Sequence, residues 1–372
     1  MAPTRAPDPV ARPVARLGGA IERVLPLLAV AAFALTVGAT LAVAGDTLGY
    51  DFRAYWEAAA RVLHGQPAYD TSYRAAGGFG LFYYPPPFAL AVLPLGLLPV
   101  GVATWAWLAV LLGAFALGTA LLPTTRTVRW AVVLLAGLSW PFVYGMKLGQ
   151  VGTVLYLLFA LGWRWLDRPA AVGLAGSVGA LVKVQPGVLL AWALLTRRWA
   201  ALAIGAVVLA GAALAATLAL GPGAWADFAT LLGRVSDPIT TPHNFTVGAA
   251  AYQAGVPRDA ASLLQAASTA VAAAVVVAAA LRLPADASYM AAVVASQLLS
   301  PILWDHYAML LLVPVAWLLS RRQWWAVLIP LATSVVLVGA ISPTVYPAVF
   351  WATLVGVLAA GWRERAPGTA RA

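Results

Sequence analysis

The sequence predicts an all-α polytopic membrane protein with about 11–13 transmembrane helices and a large first outer loop bearing an amphipathic interfacial helix. Three observations predict it. The 372 residues are 62% hydrophobic and only 10% charged, where a soluble domain carries about 25% charged residues. Apolar runs long enough to cross a bilayer follow one another along most of the chain. The basic residues fall in short clusters between those runs, as in cytoplasmic loops.

Taken in order, residues 1–19 are rich in Ala, Pro and Arg and read as a disordered basic cytoplasmic tail. The apolar run that follows, to about Gly45, is longer than a signal-peptide core. It reads as an uncleaved first helix with its N-terminus inside. Positive clusters recur at "TTRTVR" (124–129), "WRWLDR" (163–168), "TRRW" (196–199), "LRLP" (281–284), "SRRQWW" (320–325) and "GWRERA" (361–366). With these inside, the outer connections are 46–84, 145–150, 183–186, about 221–260, 300–307 and 342–347. Residues 85–122 are too long for one helix and contain Pro94 and Pro99; one span plus a re-entrant or interfacial piece fits them, two full spans would put "TTRTVR" outside, and the count stays open. "AAVGLAGSVGALVKVQPGVLLAWALL" holds a lysine and a proline near its middle. Two short helices meeting at "KVQP" place Lys183 at an outer cavity and keep its charge off the bilayer centre. Residues 20–362 read as one transmembrane domain, and 363–372 as a second cytoplasmic tail.

The stretch "GYDFRAYWEAAARVLHGQPAYD" (49–70) concentrates ionisable groups that are rare elsewhere. Phe52, Tyr55, Trp56, Ala59, Val62 and Leu63 recur at helical spacing, with Arg53, Glu57, Arg61 and His64 largely off that face. Gly65 and Pro67 end the helix. Asp51 at its start is either an N-cap or a carboxylate at the edge of an outer cavity, placed to take a proton from a hydroxyl. Tyr83 and Tyr84, before three prolines, read as interfacial anchors or as sugar-stacking rings.

The charge of +10 does not point to nucleic acid, because no basic face with interleaved aromatics exists. The chain has no cysteine, which excludes disulfides and thiolate chemistry. No Asp-x-Asp pair or metal-spaced cluster occurs in the outer connections and no phosphate-binding Gly-Lys-Ser/Thr loop is present, so no cofactor is expected. A transporter or flippase is the rival class. Transporters place ionisable groups near the midplane and often show repeats, whereas here the polar groups gather at outer connections.

At this point the chain resembles a known family. "YDFRAYWEAAARVLHGQPAYD" and "FYYPPPFALAVLPLGLLP" resemble the first-loop signature of the family 87 glycosyltransferases. "GQVGTVLYLLFALGWRW", "AGSVGALVKVQPGVLLAWALLTRRW" and "SPILWDHYAMLLLVP" resemble their later motifs, in the same order. One position departs from the pattern: the usual His-His type pair reads His306-Tyr307. The resemblance implies a GT-C-type fold and an activity like that of the actinobacterial polyprenyl-phosphate-mannose-dependent α-mannosyltransferases. It implies a polyprenyl-phosphate sugar donor, a glycolipid or lipid-linked acceptor, and inversion at an active site on the outer face of a bacterial plasma membrane. Asp51 takes the place of the catalytic base. Lys183, Gln150 and His306 are the candidates to seat the donor phosphate. Tyr84, His243 and Asn244 are the candidates to line the donor or sugar site.

Overall fold

The computed structural model describes residues 11–72, 80–234, 237–333 and 342–365. Among them no strand occurs and the chain is helical almost throughout, as the composition predicts. The helices are α1 (Ala11–Val43), α2 (Tyr50–Leu63), α3 (Pro86–Ala91), α4 (Leu93–Gly96), α5 (Val100–Leu121), α6 (Arg126–Gly137), α7 (Trp140–Leu148), α8 (Gly152–Arg164) and α9 (Pro169–Val182). They continue with α10 (Val188–Leu195), α11 (Trp199–Leu220), α12 (Gly223–Arg234), α13 (Val247–Gln253), α14 (Arg258–Arg282), α15 (Ala285–Leu298), α16 (Leu312–Ser320), α17 (Leu328–Ala332) and α18 (Val345–Arg365). The expected N-terminal tail lies outside the described residues as far as residue 10, and from Ala11 the backbone belongs to α1. Of the expected C-terminal tail, 363–365 complete α18 and the remainder lies outside the described residues.

The core is built on α15 and α16. Every residue of α15 from Ala287 to Leu298 is buried, as is every residue of α16 from Leu312 to Leu319. Around them α5 packs on α8, α8 on α9, α9 on α11, and α14 and α18 on α15. The outermost helices present apolar side chains outward, such as Leu27 and Leu35 on α1, Val207 and Leu218 on α11, and Leu263 and Leu281 on α14. A soluble protein does not expose such stripes, and lipid is the solvent that accepts them.

Five helices among the described residues are long and apolar enough to cross a membrane, or six if α6 and α7, bent by 68°, are counted as one broken span. The remaining apolar helices are shorter, among them α8 with 13 residues and α9 with 14. The expected 11–13 spans rest on a ruler of about 20 apolar residues per crossing, applied to runs of which some are short. A 13-residue helix is about 20 Å long against a hydrocarbon core of about 30 Å. Such helices are tolerated where neighbouring protein covers their ends.

Within residues 85–122, left open by the sequence, one 22-residue helix, α5, follows the short α3 and α4. "KVQP" breaks its run into α9 and α10, with Lys183 in extended backbone between them. One end of α15, α16 and α18 is pinned together: Arg321 pairs with Asp286, reaches Glu364 at 2.7 Å and stacks 3.7 Å over the Trp317 ring.

Candidate active site

The α2 helix forms where the periodicity places it and buries Phe52, Ala54, Tyr55, Ala58 and Ala59. Its N-cap is Gly49, in left-handed backbone (φ 68°), and Asp51 lies inside the first turn. Asp51 is therefore not the cap. The start of α2 is fastened to the α7–α8 turn by the Gly49 amide, which donates to the Lys147 carbonyl at 2.8 Å. That turn runs through Gly149 at φ 72°, and the Trp107 indole donates to the Gly149 carbonyl at 2.7 Å. A Cβ on Gly149 would lie 2.7 Å from the Phe52 Cβ. Glycine is required here for both its backbone conformation and its size. The close approach puts Gln150 beside Asp51.

The Gln150 amide nitrogen donates to an Asp51 carboxylate oxygen. Its carbonyl oxygen accepts from the Tyr84 hydroxyl at 3.1 Å and more weakly from Tyr55 at 3.4 Å, and the two tyrosine hydroxyls meet at 2.5 Å. A phenol proton can be given only to the amide oxygen, so the tyrosines fix the amide with its N–H on Asp51. Asp51 is partly open to the cavity, yet protein surrounds it on the other sides. That burial pushes its carboxyl above the usual range, while His306, the Gln150 amide and Lys183 act against the rise.

The cavity has a volume of about 670 Å³. It is lined from five of the six expected outer connections, and it brings together Asp51, Tyr84, Gln150, Lys183, His243 and His306. Lys183 donates to the Tyr307 hydroxyl at 3.3 Å and lies 4.4 Å from the centre of that ring and 5.8 Å from that of Tyr84. Asp305 sits between two histidines, 3.4 Å from His306 Nδ1 and 3.8 Å from His243 Nδ1. His306 is buried, and neither ring nitrogen has a well-aligned hydrogen bond. His243 is exposed at the cavity wall with φ 57°, a conformation non-glycine residues rarely take outside functional loops. Among the described residues no three His, Asp or Glu side chains meet at metal-binding spacing.

Two sequence expectations need correction. Asn244 is fully buried and does not line the cavity. Its amide donates to the carbonyls of Pro238 and Pro301, and its oxygen accepts from the Thr246 and Leu303 amides, so it braces two loops. The Tyr84 hydroxyl is spent inside the protein, which is not the arrangement of an interfacial anchor.

Sequence reasoning also passed over participants. Tyr55 reads as one more member of the apolar face of α2, and its hydroxyl becomes visible only in three dimensions. Gln185 and Asp305 are among the few polar residues of the outer connections, and that scarcity was the available signal. Tyr307 was noticed only as a departure from a motif.

The family model described as Glycosyltransferase family 87 matches residues 82–303. That stretch includes Tyr84, Gln150, Lys183 and His243, and it excludes Asp51 and His306. The chain is 31% identical over 251 residues to a protein of Mycolicibacterium smegmatis named polyprenol-phosphate-mannose-dependent alpha-(1-2)-phosphatidylinositol pentamannoside mannosyltransferase. That alignment covers 64% of this chain and 60% of the relative. It is 30% identical over 311 residues to a protein of the same name from Mycobacterium tuberculosis, covering 78% of this chain and 72% of the relative. No solved structure matches.

Proposed function

Because the chain belongs to glycosyltransferase family 87, we propose that it transfers a sugar, with mannose the first candidate, from a polyprenyl phosphate to a glycolipid or lipid-linked acceptor at the outer face of the membrane. The observation that carries this reading is one cavity that holds a carboxylate, Asp51, and a cation, Lys183, each with its own partner and neither paired to the other.

In the proposed reaction Asp51 takes the proton of an acceptor hydroxyl. The acceptor oxygen bonds to the anomeric carbon on the face opposite the phosphate, and the bond from that carbon to the phosphate oxygen breaks. The configuration inverts in this single displacement, which needs no second carboxylate of the retaining kind. Polyprenyl phosphate departs with its negative charge beside Lys183 and His306. Apolar lining at Val184, Val188 and Leu299 offers the first prenyl units a dry path toward lipid. The raised pKa makes Asp51 a stronger base, and a stronger base accepts the proton more readily.

The test is transfer from radiolabelled polyprenyl-phosphate-mannose to a panel of lipid acceptors by purified protein in detergent, wild type against Asp51→Asn. Transfer that falls by roughly 10²- to 10⁴-fold in a folded variant is the expected outcome. Equal transfer by both removes Asp51 from the mechanism. Absence of transfer by the wild type across donors and acceptors refutes the activity.

A further inference from the structure

Tyr307 is used by none of the steps above, and its surroundings determine where its proton must go. The Ser300 hydroxyl donates to the Ile302 carbonyl at 2.6 Å. A hydroxyl has one proton, so toward any other partner the Ser300 oxygen can only accept. The Gln185 side chain meets that oxygen at 3.0 Å and must present its NH₂ group there. The same NH₂ group has a second proton, and it points to the Tyr307 oxygen at 3.1 Å. Lys183, whose ammonium can only donate, reaches the same oxygen at 3.3 Å. Both lone pairs of the Tyr307 oxygen are thereby filled from within the protein.

The phenol proton of Tyr307 is left over. No described residue accepts it, and the side chain lines the cavity beside Lys183 and His306. Lys183 in turn spends one of its three N–H groups on Tyr307 and has no other hydrogen-bond partner among the described residues. Gln185 and Ser300 thus act as a fixed relay of polarity from a backbone carbonyl to the cavity wall.

We propose that Tyr307 is a ligand-binding residue whose hydroxyl donates to a phosphate oxygen of the lipid donor, completing with Lys183 a seat made wholly of hydrogen-bond donors. This rests on the lipid-phosphate donor proposed above. A ligand that is all acceptor, such as a phosphate monoester or diester, fits such a seat. A neutral sugar hydroxyl fits it less well, because its own proton then finds no acceptor there.

The probe is a short-chain polyprenyl monophosphate, the leaving group of the proposed reaction, with the matching uncharged polyprenol as control. Binding to detergent-purified protein is measured directly by calorimetry, without turnover. Tyr307→Phe keeps the ring that faces Lys183 and removes only the hydroxyl. Loss of one hydrogen bond to a charged group predicts phosphate binding about 10- to 100-fold weaker, with polyprenol binding unchanged. Gln185→Met, which frees one lone pair and lets the hydroxyl proton find other orientations, is expected to weaken phosphate binding by a smaller factor. Wild-type affinity for the phosphate in Tyr307→Phe overturns the assignment of Tyr307. An equal loss for phosphate and polyprenol also overturns it, since the hydroxyl then acts through packing. Failure of the wild type to prefer the phosphate over the polyprenol refutes the lipid-phosphate donor itself, a separate outcome.

Discussion

Replacing Gln150 by Met tests whether the amide serves the reaction through Asp51. The change keeps the side-chain volume and removes one hydrogen bond to the Asp51 carboxylate. Of the Tyr84 and Tyr55 hydroxyls, one still donates to the other at 2.5 Å, while the proton that went to the amide oxygen loses its acceptor, so the thermal midpoint is read beside the rate. A hydrogen bond to a charged group contributes about 1.5–3 kcal/mol, and each 1.4 kcal/mol is a factor of ten in rate, so transfer at neutral pH is expected to drop about 10- to 100-fold. The pH profile moves as well. Burial raises the Asp51 pKa and the Gln150 bond is one of the interactions holding it down, so the acid limb shifts to higher pH without it. The decisive assay is a double-mutant cycle on the initial rate of mannose transfer. If Gln150 acts only through Asp51, Asp51→Asn with Gln150→Met is no slower than Asp51→Asn alone. A double variant slower by a further 10- to 100-fold refutes the reasoning, and so does a Gln150→Met variant at the wild-type rate.

Two further outcomes follow from the same geometry. The folded Asp51 carboxyl keeps its proton to higher pH than the unfolded chain, where 3.8 is the ordinary value, so stability falls as pH rises from there through the folded pKa. Asp51→Asn removes that penalty, and its thermal midpoint in detergent should exceed the wild type at pH 8, the gap closing as pH falls; a less stable variant at pH 8 would contradict the burial argument. Gly149→Ala forces a Cβ to 2.7 Å from Phe52 in backbone at φ 72°, whereas Gly45→Ala at φ 52° meets nothing within 4 Å. The first should lose about 1–3 kcal/mol more stability than the second and most of its transfer rate, and similar unfolding curves for the two would show that the close approach is not needed.

Much of the frame was legible because it depends on one-dimensional spacing. The face of α2 recurs at helical intervals, and Pro94 and Pro99 forbid a continuous 85–122 helix. Lys183 and Pro186 within an apolar run require a break at membrane depth. The number of crossings was not legible, because the 20-residue ruler applies to helices that face lipid alone. The interior α8, α9 and α15 are covered by other helices and are shorter. Within the site, the sequence marks a polar loop without saying which side chain turns to the cavity. His243 and Asn244 are adjacent, and the left-handed backbone at His243 turns one outward while the other is locked to four backbone groups. Tyr84 and Tyr307 show the same limit. Pattern identifies an aromatic ring, while the fate of its hydroxyl depends on partners 66 and 122 residues away.

The two glutamines explain how a chain so poor in charge keeps a carboxylate and a cation in one cavity without pairing them. Asp51 and Lys183 attract each other, and at low dielectric a direct ion pair would lower the basicity of one and occupy the donors of the other. Gln150 gives Asp51 a neutral donor, and tyrosine protons on its oxygen keep that amide from turning over. On the other wall Gln185, fixed from the Ser300 side, helps hold Tyr307 as the acceptor for Lys183. Each charge is thus satisfied by one neutral partner and keeps capacity to spare, two N–H groups on Lys183 and a second carboxylate oxygen on Asp51. A neutral amide can do this where a charged residue cannot, because it orients a neighbour without adding charge to the cavity. Both amides are oriented by hydroxyls on the side away from the charge they serve, so the polarity of each wall is set before any substrate arrives. That is the preorganisation the proposed transfer would use, since in it Asp51 takes up a proton while Lys183 receives an anion.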